Sequence, residues 1–383
     1  MKTTPILIVG AGPAGLALAG RLRHRGLPFE IIEQSQEVGH AWHHHYERVH
    51  LHTVKSHSHL PHRPFPEHYP QYVSRQQLVD YLEDYARHFD IQPLFGHRLS
   101  EVERAEGQWQ AHCTNGQVFQ TPHLVFATGI NRVPNLPFFE DQEDFAGAIL
   151  HSRDYRNPAP FLGKTVLVVG MGNTGAEIAL DLSDAGVSTL LSVRGPVNIV
   201  PRDFLGRPTQ ATAFTLAKLP NSIGDWIGQR VQYLAFGNLR PYGLQPSPLP
   251  PARQLRETGK TPVIDIGTVA AIKAGKIKVV PQIKAFMPEG ALFEDGNEYA
   301  FQSVILATGY SAQLEDFLPA LKGGFDAEGL PKDCIGKGPR AGLYFLGFDN
   351  YQPGGILGVV YRDSARIATA IARRQEAYAD DEV

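Results

Sequence analysis

Cysteine is nearly absent from this chain: Cys113 and Cys334 are the only two in 383 residues. Far apart in sequence, they form neither a disulfide framework nor a CxxC redox pair, which argues against a stapled secreted scaffold and fits a reducing cytoplasm. Long apolar runs are missing too, none approaching the roughly 20 residues that span a bilayer. Only Met1, Lys2, Thr3 and Thr4 precede the first apolar run, and no signal-peptide cleavage region comes after it, so no leader is expected. Neither sign of charge is in excess. With a net charge of −3 and a pI of about 6.6, no whole-chain field draws the protein to nucleic acid or anionic lipid. The expected partners are small molecules, without nucleic acid or membrane. What is present is length and 43% hydrophobic content, enough for a large core in two domains.

Residues 6–9 read as a short strand, leading into Gly10-Ala-Gly12-Pro13-Ala14-Gly15 and an alanine- and leucine-rich helix. A second apolar strand, residues 29–32, ends in Glu33 with Gln34 beside it, completing a βαβ unit. The grammar repeats at residues 165–169, Gly170-Met-Gly172-Asn173-Thr174-Gly175, residues 176–183 and residues 188–193. In such a turn the glycines permit close backbone approach, so helix-start N–H groups meet a pyrophosphate without side chains intervening. A lone fingerprint is weak; two, each with a strand before and a helix after, are not. The residues at the end of each second strand separate the cofactors. Glu33 lies 23 residues after Gly10, where a carboxylate accepts hydrogen bonds from ribose hydroxyls, as in FAD. The equivalent position after Gly170 is Val193, with Ser192 upstream and Arg194 next. A guanidinium there receives the 2′-phosphate of NADPH, against the plainer reading of a surface arginine. Val125-Phe-Ala-Thr128-Gly129 and Ile305-Leu-Ala-Thr308-Gly309 echo one another around the second unit. The expected architecture is an α/β fold of two dinucleotide-binding, Rossmann-like domains. An NADPH domain (156–300) is inserted into an FAD domain (1–155 and 301–383).

Between the two units, Phe145-Ala-Gly147-Ala-Ile-Leu-His151-Ser-Arg-Asp-Tyr155 resembles the FxGxxxHxxx(Y/F) signature of the flavin-containing monooxygenases. The related Baeyer–Villiger signature ends in Trp and then Pro or Asp, where this chain has Tyr155 and Arg156. The resemblance covers nearly the whole length, including Gly39-His-Ala-Trp42 and Leu306-Ala-Thr-Gly309-Tyr310. Tyr242-Gly243, Gly259 to Gly267, Lys276 to Val279 and Gly342 to Phe348 are similar to runs of the plant YUCCA-type members. His52 stands where animal-type members carry asparagine and YUCCA-type sequences histidine. Gly259-Lys260-Thr261 is no P-loop, because Gln254 replaces the upstream glycine.

The resemblance implies FAD and NADPH as cofactors and O2 as co-substrate: NADPH reduces FAD, and oxygen adds to the ring as a C4a-hydroperoxide shielded by NADP+. No side-chain nucleophile is required, since the flavin carries the reactive atom. A YUCCA-like substrate is an aryl 2-oxo acid such as indole-3-pyruvate, which loses carbon dioxide. An animal-type substrate is an amine or sulfide that takes the oxygen on nitrogen or sulfur. A flavin reductase and a non-catalytic nucleotide sensor stand as readings of other classes, and a homodimer is a compatible assembly.

His52 is the best candidate to touch the isoalloxazine or substrate, against a solvent-facing loop histidine. His151 and Tyr155, four apart, are read as a structural link between domains rather than proton carriers. Trp42 packs on the flavin or serves the core, and Gly354, Gly355 and Leu357 open a helix near the ring. Ten of the sixteen histidines lie between His40 and His68. They are read as a flavin-side loop holding no metal, because neither Cys nor HExxH accompanies them and the resembled family uses none.

Overall fold

Short apolar strands buried on both faces dictate parallel sheets covered by helices. In the computed structural model, which describes residues 1–319 and 324–381, two such sheets form. Leu7–Val9 lies between Glu30–Ile32 and Leu124–Phe126, and Leu343–Phe345 completes a four-stranded parallel sheet. The second sheet has five parallel strands in the order Ile277–Val280, Ser188–Ser192, Thr165–Val169, Ser303–Leu306 and Ala148–His151. Helices Pro13–His24 and Asn173–Asp184 begin at the two glycine turns. One core joins Ile8 and Val125 to Leu16, Leu82 and Ile367 from three helices, and another joins Val166 and Val168 to Ile178 and Leu182. Each fully buried aliphatic side chain contributes about 1.5–3 kcal/mol.

The domain boundaries expected at 155/156 and 300/301 move outward. Ala148–His151 and Ser303–Leu306 both pair within the second sheet, so the inserted unit begins before Ala148 and ends after Leu306. The echo of Val125–Gly129 in Ile305–Gly309 does not mark a return to the first sheet. In each sheet the echoed strand lies beside the strand that enters the glycine turn.

The chain crosses between domains twice, and the crossings pair: Val133–Pro134 runs antiparallel to Tyr310–Ser311. Thr308 Oγ1 donates to Asn135 O at 2.5 Å, and Asn135 N donates to Gly309 O at 3.0 Å. His151 braces this ribbon. Its Nδ1 accepts from Arg153 N at 3.1 Å, which leaves Nε2–H to donate to Gly309 O at 3.2 Å. Arg153 bonds Asn131 O and Arg132 O at 2.9 and 2.7 Å.

His123, fully buried at the foot of the first sheet, has its Nδ1 3.1 Å from Tyr344 Oη. Burial, with a smaller push from Arg374, lowers its pKa from 6.5 to about 4. The unfolded chain therefore binds a proton at this ring before the folded one does. Its contribution to stability is complete above about pH 6.5 and is lost as pH falls towards 4, roughly 3 kcal/mol in all. Urea denaturation should show a lower midpoint at pH 4.5 than at pH 7.5, and His123→Asn should shrink that difference. An unchanged difference in the variant assigns the acid sensitivity elsewhere.

Candidate active site

The two glycine turns are built alike. Gly10 and Gly170 have φ of +108° and +104°, and a Cβ on either would lie 2.6 or 2.7 Å from the carbonyl oxygen of Ala127 or Ala307. Those alanines belong to the echoed Ala-Thr-Gly turns, which explains why the echo exists. A Cβ on Gly15 or Gly175 would stand 1.9 Å from the carbonyl of Gly10 or Gly170. At Gly12 and Gly172, by contrast, nothing lies within 4 Å, and no side chain caps either helix among the described residues. Each turn thus presents uncapped helix-start N–H groups to open space, a nest suited to a dinucleotide pyrophosphate. Thr128 Oγ1, buried and without a partner among the described residues, adds a polar atom suited to a cofactor at the first nest.

The groups beyond the turns are placed unevenly. Glu33 spans the first nest: its carboxylate accepts from Ala11 N at 2.8 Å and Ser35 N at 2.9 Å. Gln34 is exposed beside it, and Arg194 is exposed at the corresponding end of the second unit. Ser192 is turned away, buried with its hydroxyl donating to Pro281 O at 2.7 Å. Asn173 is likewise committed, its Oδ1 accepting from Ile264 N at 2.7 Å. Both therefore offer a cofactor backbone groups and not side chains, whereas Thr174 is half-buried at the nest. Thr308 and Gly309 belong to the crossing ribbon, while Gly129 turns the chain after Thr128 with φ of +81°. Leu357 points into the first core, so only the backbone start of its helix faces outward.

Between the nests lies a contact that the sequence alone did not disclose. Glu177, 2% exposed and two residues past Gly175, receives hydrogen bonds from Tyr46 Oη at 2.8 Å and His52 Nε2 at 3.1 Å on one oxygen. Burial, reinforced by Glu177, raises the Tyr46 pKa well above its usual value, so the phenol keeps its proton. His45 beside it is driven down to about 4, chiefly by burial, and is neutral at pH 7. Trp42 stacks on His45 at 5.7 Å and packs against both cores. His52 thus faces the other domain instead of solvent. Tyr155 is buried, donating to Asp181 Oδ2 at 2.7 Å, while Arg48 pairs with Asp184 at 2.6 Å. The overlooked signal was a row of acids, Glu177, Asp181 and Asp184, on one face of an otherwise apolar helix.

Two glycine nests of one build, the first with Glu33 bonded to its backbone, clamped into a single molecule, have the frame of an oxidoreductase of the two-nucleotide kind. Comparison narrows the class. The flavin-binding monooxygenase-like family matches residues 3–321, and the chain belongs to it. It is 39% identical to indole-3-pyruvate monooxygenase YUCCA1 of Oryza sativa subsp. japonica, over 92% of this chain and 87% of that protein. It is 37% identical to probable indole-3-pyruvate monooxygenase YUCCA4 of Arabidopsis thaliana, over 95% and 89%. Among solved structures, a flavin-containing monooxygenase from Stenotrophomonas maltophilia superposes with a TM-score of 0.74 at 22% identity, covering 98% of this chain and 99% of that one. Cyclohexanone monooxygenase bound to ε-caprolactone gives 0.74 at 17% identity, over 98% and 89%. The protein is an oxidoreductase, a flavin-containing monooxygenase dependent on FAD, NADPH and O2. No helix among the described residues is long and apolar enough to cross a membrane.

The nests can be damaged separately. Gly175→Val, whose side chain would meet Gly170 O, should leave the protein yellow while raising the KM for NADPH at least about tenfold. Gly15→Val should yield protein depleted of FAD. Absorbance of the purified variants and NADPH titrations check both; loss of flavin from the Gly175 variant would contradict the assignment.

Proposed function

We propose that this enzyme oxidatively decarboxylates an aryl 2-oxo acid of the indole-3-pyruvate kind, with FAD in the first nest and NADPH in the second. The single observation that carries the arrangement is the clamp of Tyr46 and His52 on Glu177, which sets the flavin-side loop against the helix of the second nest. The substrate class is supported by the relatives named for indole-3-pyruvate, 35–39% identical over most of the chain. FAD held in the first nest would supply hydride acceptance from NADPH and activation of O2 towards the keto carbon, with one NADPH and one O2 consumed per CO2 and one water released.

The chain's own part is binding, positioning and exclusion of water. Glu33 is suited to the adenosine ribose of FAD, and Arg194 to the 2′-phosphate of NADPH. Gln210 joins the domains over the flavin side, accepting from Val54 N at 2.7 Å and donating to Gly354 O at 3.2 Å. Phe214, one helical turn on, stacks on the exposed ring of His57 with centroids 5.0 Å apart. His151 and Tyr155 hold the domains in register and carry no proton in this reading. Two buried free thiols suit a cytoplasmic setting.

Purified enzyme supplied with indole-3-pyruvate should consume NADPH and O2 and release one CO2 per NADPH. Release of N-oxide from trimethylamine or sulfoxide from a thioether, with no turnover of indole-3-pyruvate or phenylpyruvate, would replace this reading with heteroatom oxygenation. Arg194→Ala should raise the KM for NADPH about tenfold and leave NADH use unchanged, because only the phosphate contact is lost. Equal damage with both cofactors would reject the role of Arg194.

A further inference from the structure

Glu37 lies outside the histidine-rich run, yet the fold brings it there. After Gly39, whose φ of +70° turns the chain, the one-turn helix His40–His43 continues into His44 through a 3.2 Å bond from His44 N to His40 O. That places His40 and His44 one turn apart on the same side, the i, i+4 spacing by which two imidazoles share a metal ion. Glu37 Oε1 sits 2.8 Å from His40 Nδ1 and 2.8 Å from His44 Nε2, and the three donor atoms lie within 4.8 Å of one another. Ligands bound at about 2.0–2.2 Å in tetrahedral geometry stand roughly 3.3 Å apart, so small rotamer shifts admit an ion. The two rings are half-exposed, which leaves an entry path and a fourth position for water.

Behind the carboxylate stands His43. Its Nδ1 is 3.5 Å from Glu37 Oε2 and its Nε2 is 3.4 Å from Glu83 Oε1. That Nε2 is buried without a hydrogen-bond partner among the described residues. A carboxylate whose second oxygen is approached by an imidazole backed by another carboxylate has the outer support that metal ligands commonly have.

We propose that Glu37, His40 and His44 bind a divalent transition-metal ion of the zinc type, apart from the flavin chemistry. The ion would fasten the segment that carries Trp42 and His45, and that segment is already tied to the first nest by Gly39 N donating to Ala11 O at 3.0 Å. The expectation that this run holds no metal is thereby revised. That expectation rests on the absence of Cys and HExxH and on the resembled family, whereas the third ligand proposed here is a glutamate upstream of the histidines.

The test uses the flavin-loaded protein, stripped of metal by a chelator and titrated with Co2+ and then Zn2+. Wild type should take up one equivalent of Co2+ with visible ligand-field bands, lose them to Zn2+, and gain in Tm, since a ligand of the folded state stabilises it. The double variant His40→Gln/His44→Gln should bind about a hundredfold more weakly or not at all. A His62→Gln/His68→Gln control, from the same run, should bind as wild type does. Retained flavin absorbance certifies folding, and Glu37→Gln replaces the double variant if that one fails to fold. No saturable one-equivalent uptake by wild type, or unchanged binding after loss of His40 and His44, overturns the proposal.

Discussion

A carboxylate removed from water must find hydrogen-bond donors, or its burial costs several kcal/mol. Glu177 is such a group, and its donors, Tyr46 and His52, come from the other domain. These two bonds to Glu177 Oε2 form only when the domains are apposed, while Oε1 is buried without a hydrogen-bond partner among the described residues. Arg48 on Asp184 repeats the arrangement from the other domain along the same helix, while Asp181 is met by Tyr155 from within the second unit. The helix they fix is the one that opens at the second nest. Its orientation towards the flavin side is set by these contacts and not by the nest itself.

The nests show how one backbone solution serves two cofactors. Their glycines meet the same obstacles at almost the same distances, including an alanine carbonyl from a neighbouring strand. In the proposed reading, discrimination is left to the end of the next strand, where Glu33 stands in one unit and Arg194 in the other. Binding geometry and cofactor choice are thus separate in the chain. An exchange of specificity need not disturb the turn.

The nests were legible in the sequence because their constraints are local: a positive φ, a close backbone approach and a helix start all fall within six residues. Strand membership was not. Ser303–Leu306 reads like Leu124–Phe126 in composition, and nothing local says which sheet a short apolar strand will join. Ser192 and Asn173 have the type and position of ligand residues, yet Pro281 and Ile264, distant in sequence, occupy their side chains. Glu177 is a charge in a mostly apolar helix, but its partners lie 125 and 131 positions away and nothing local points to them. His151 reads as a link because it lies between the two units; in the structure its Nδ1 takes a local bond from Arg153 N and its Nε2 reaches Gly309 O on the crossing ribbon.

The first sheet takes its last strand from Leu343–Phe345, while every strand of the second has been made by Leu306. On a ribosome the guest is therefore finished before its host. The amino-terminal half must wait, with one edge of its sheet unpaired, while a complete neighbour forms in the middle of it. A chain stalled between residues 306 and 343 would hold a folded nicotinamide module attached to an unfinished flavin module, the order opposite to the one in which their glycine turns are translated.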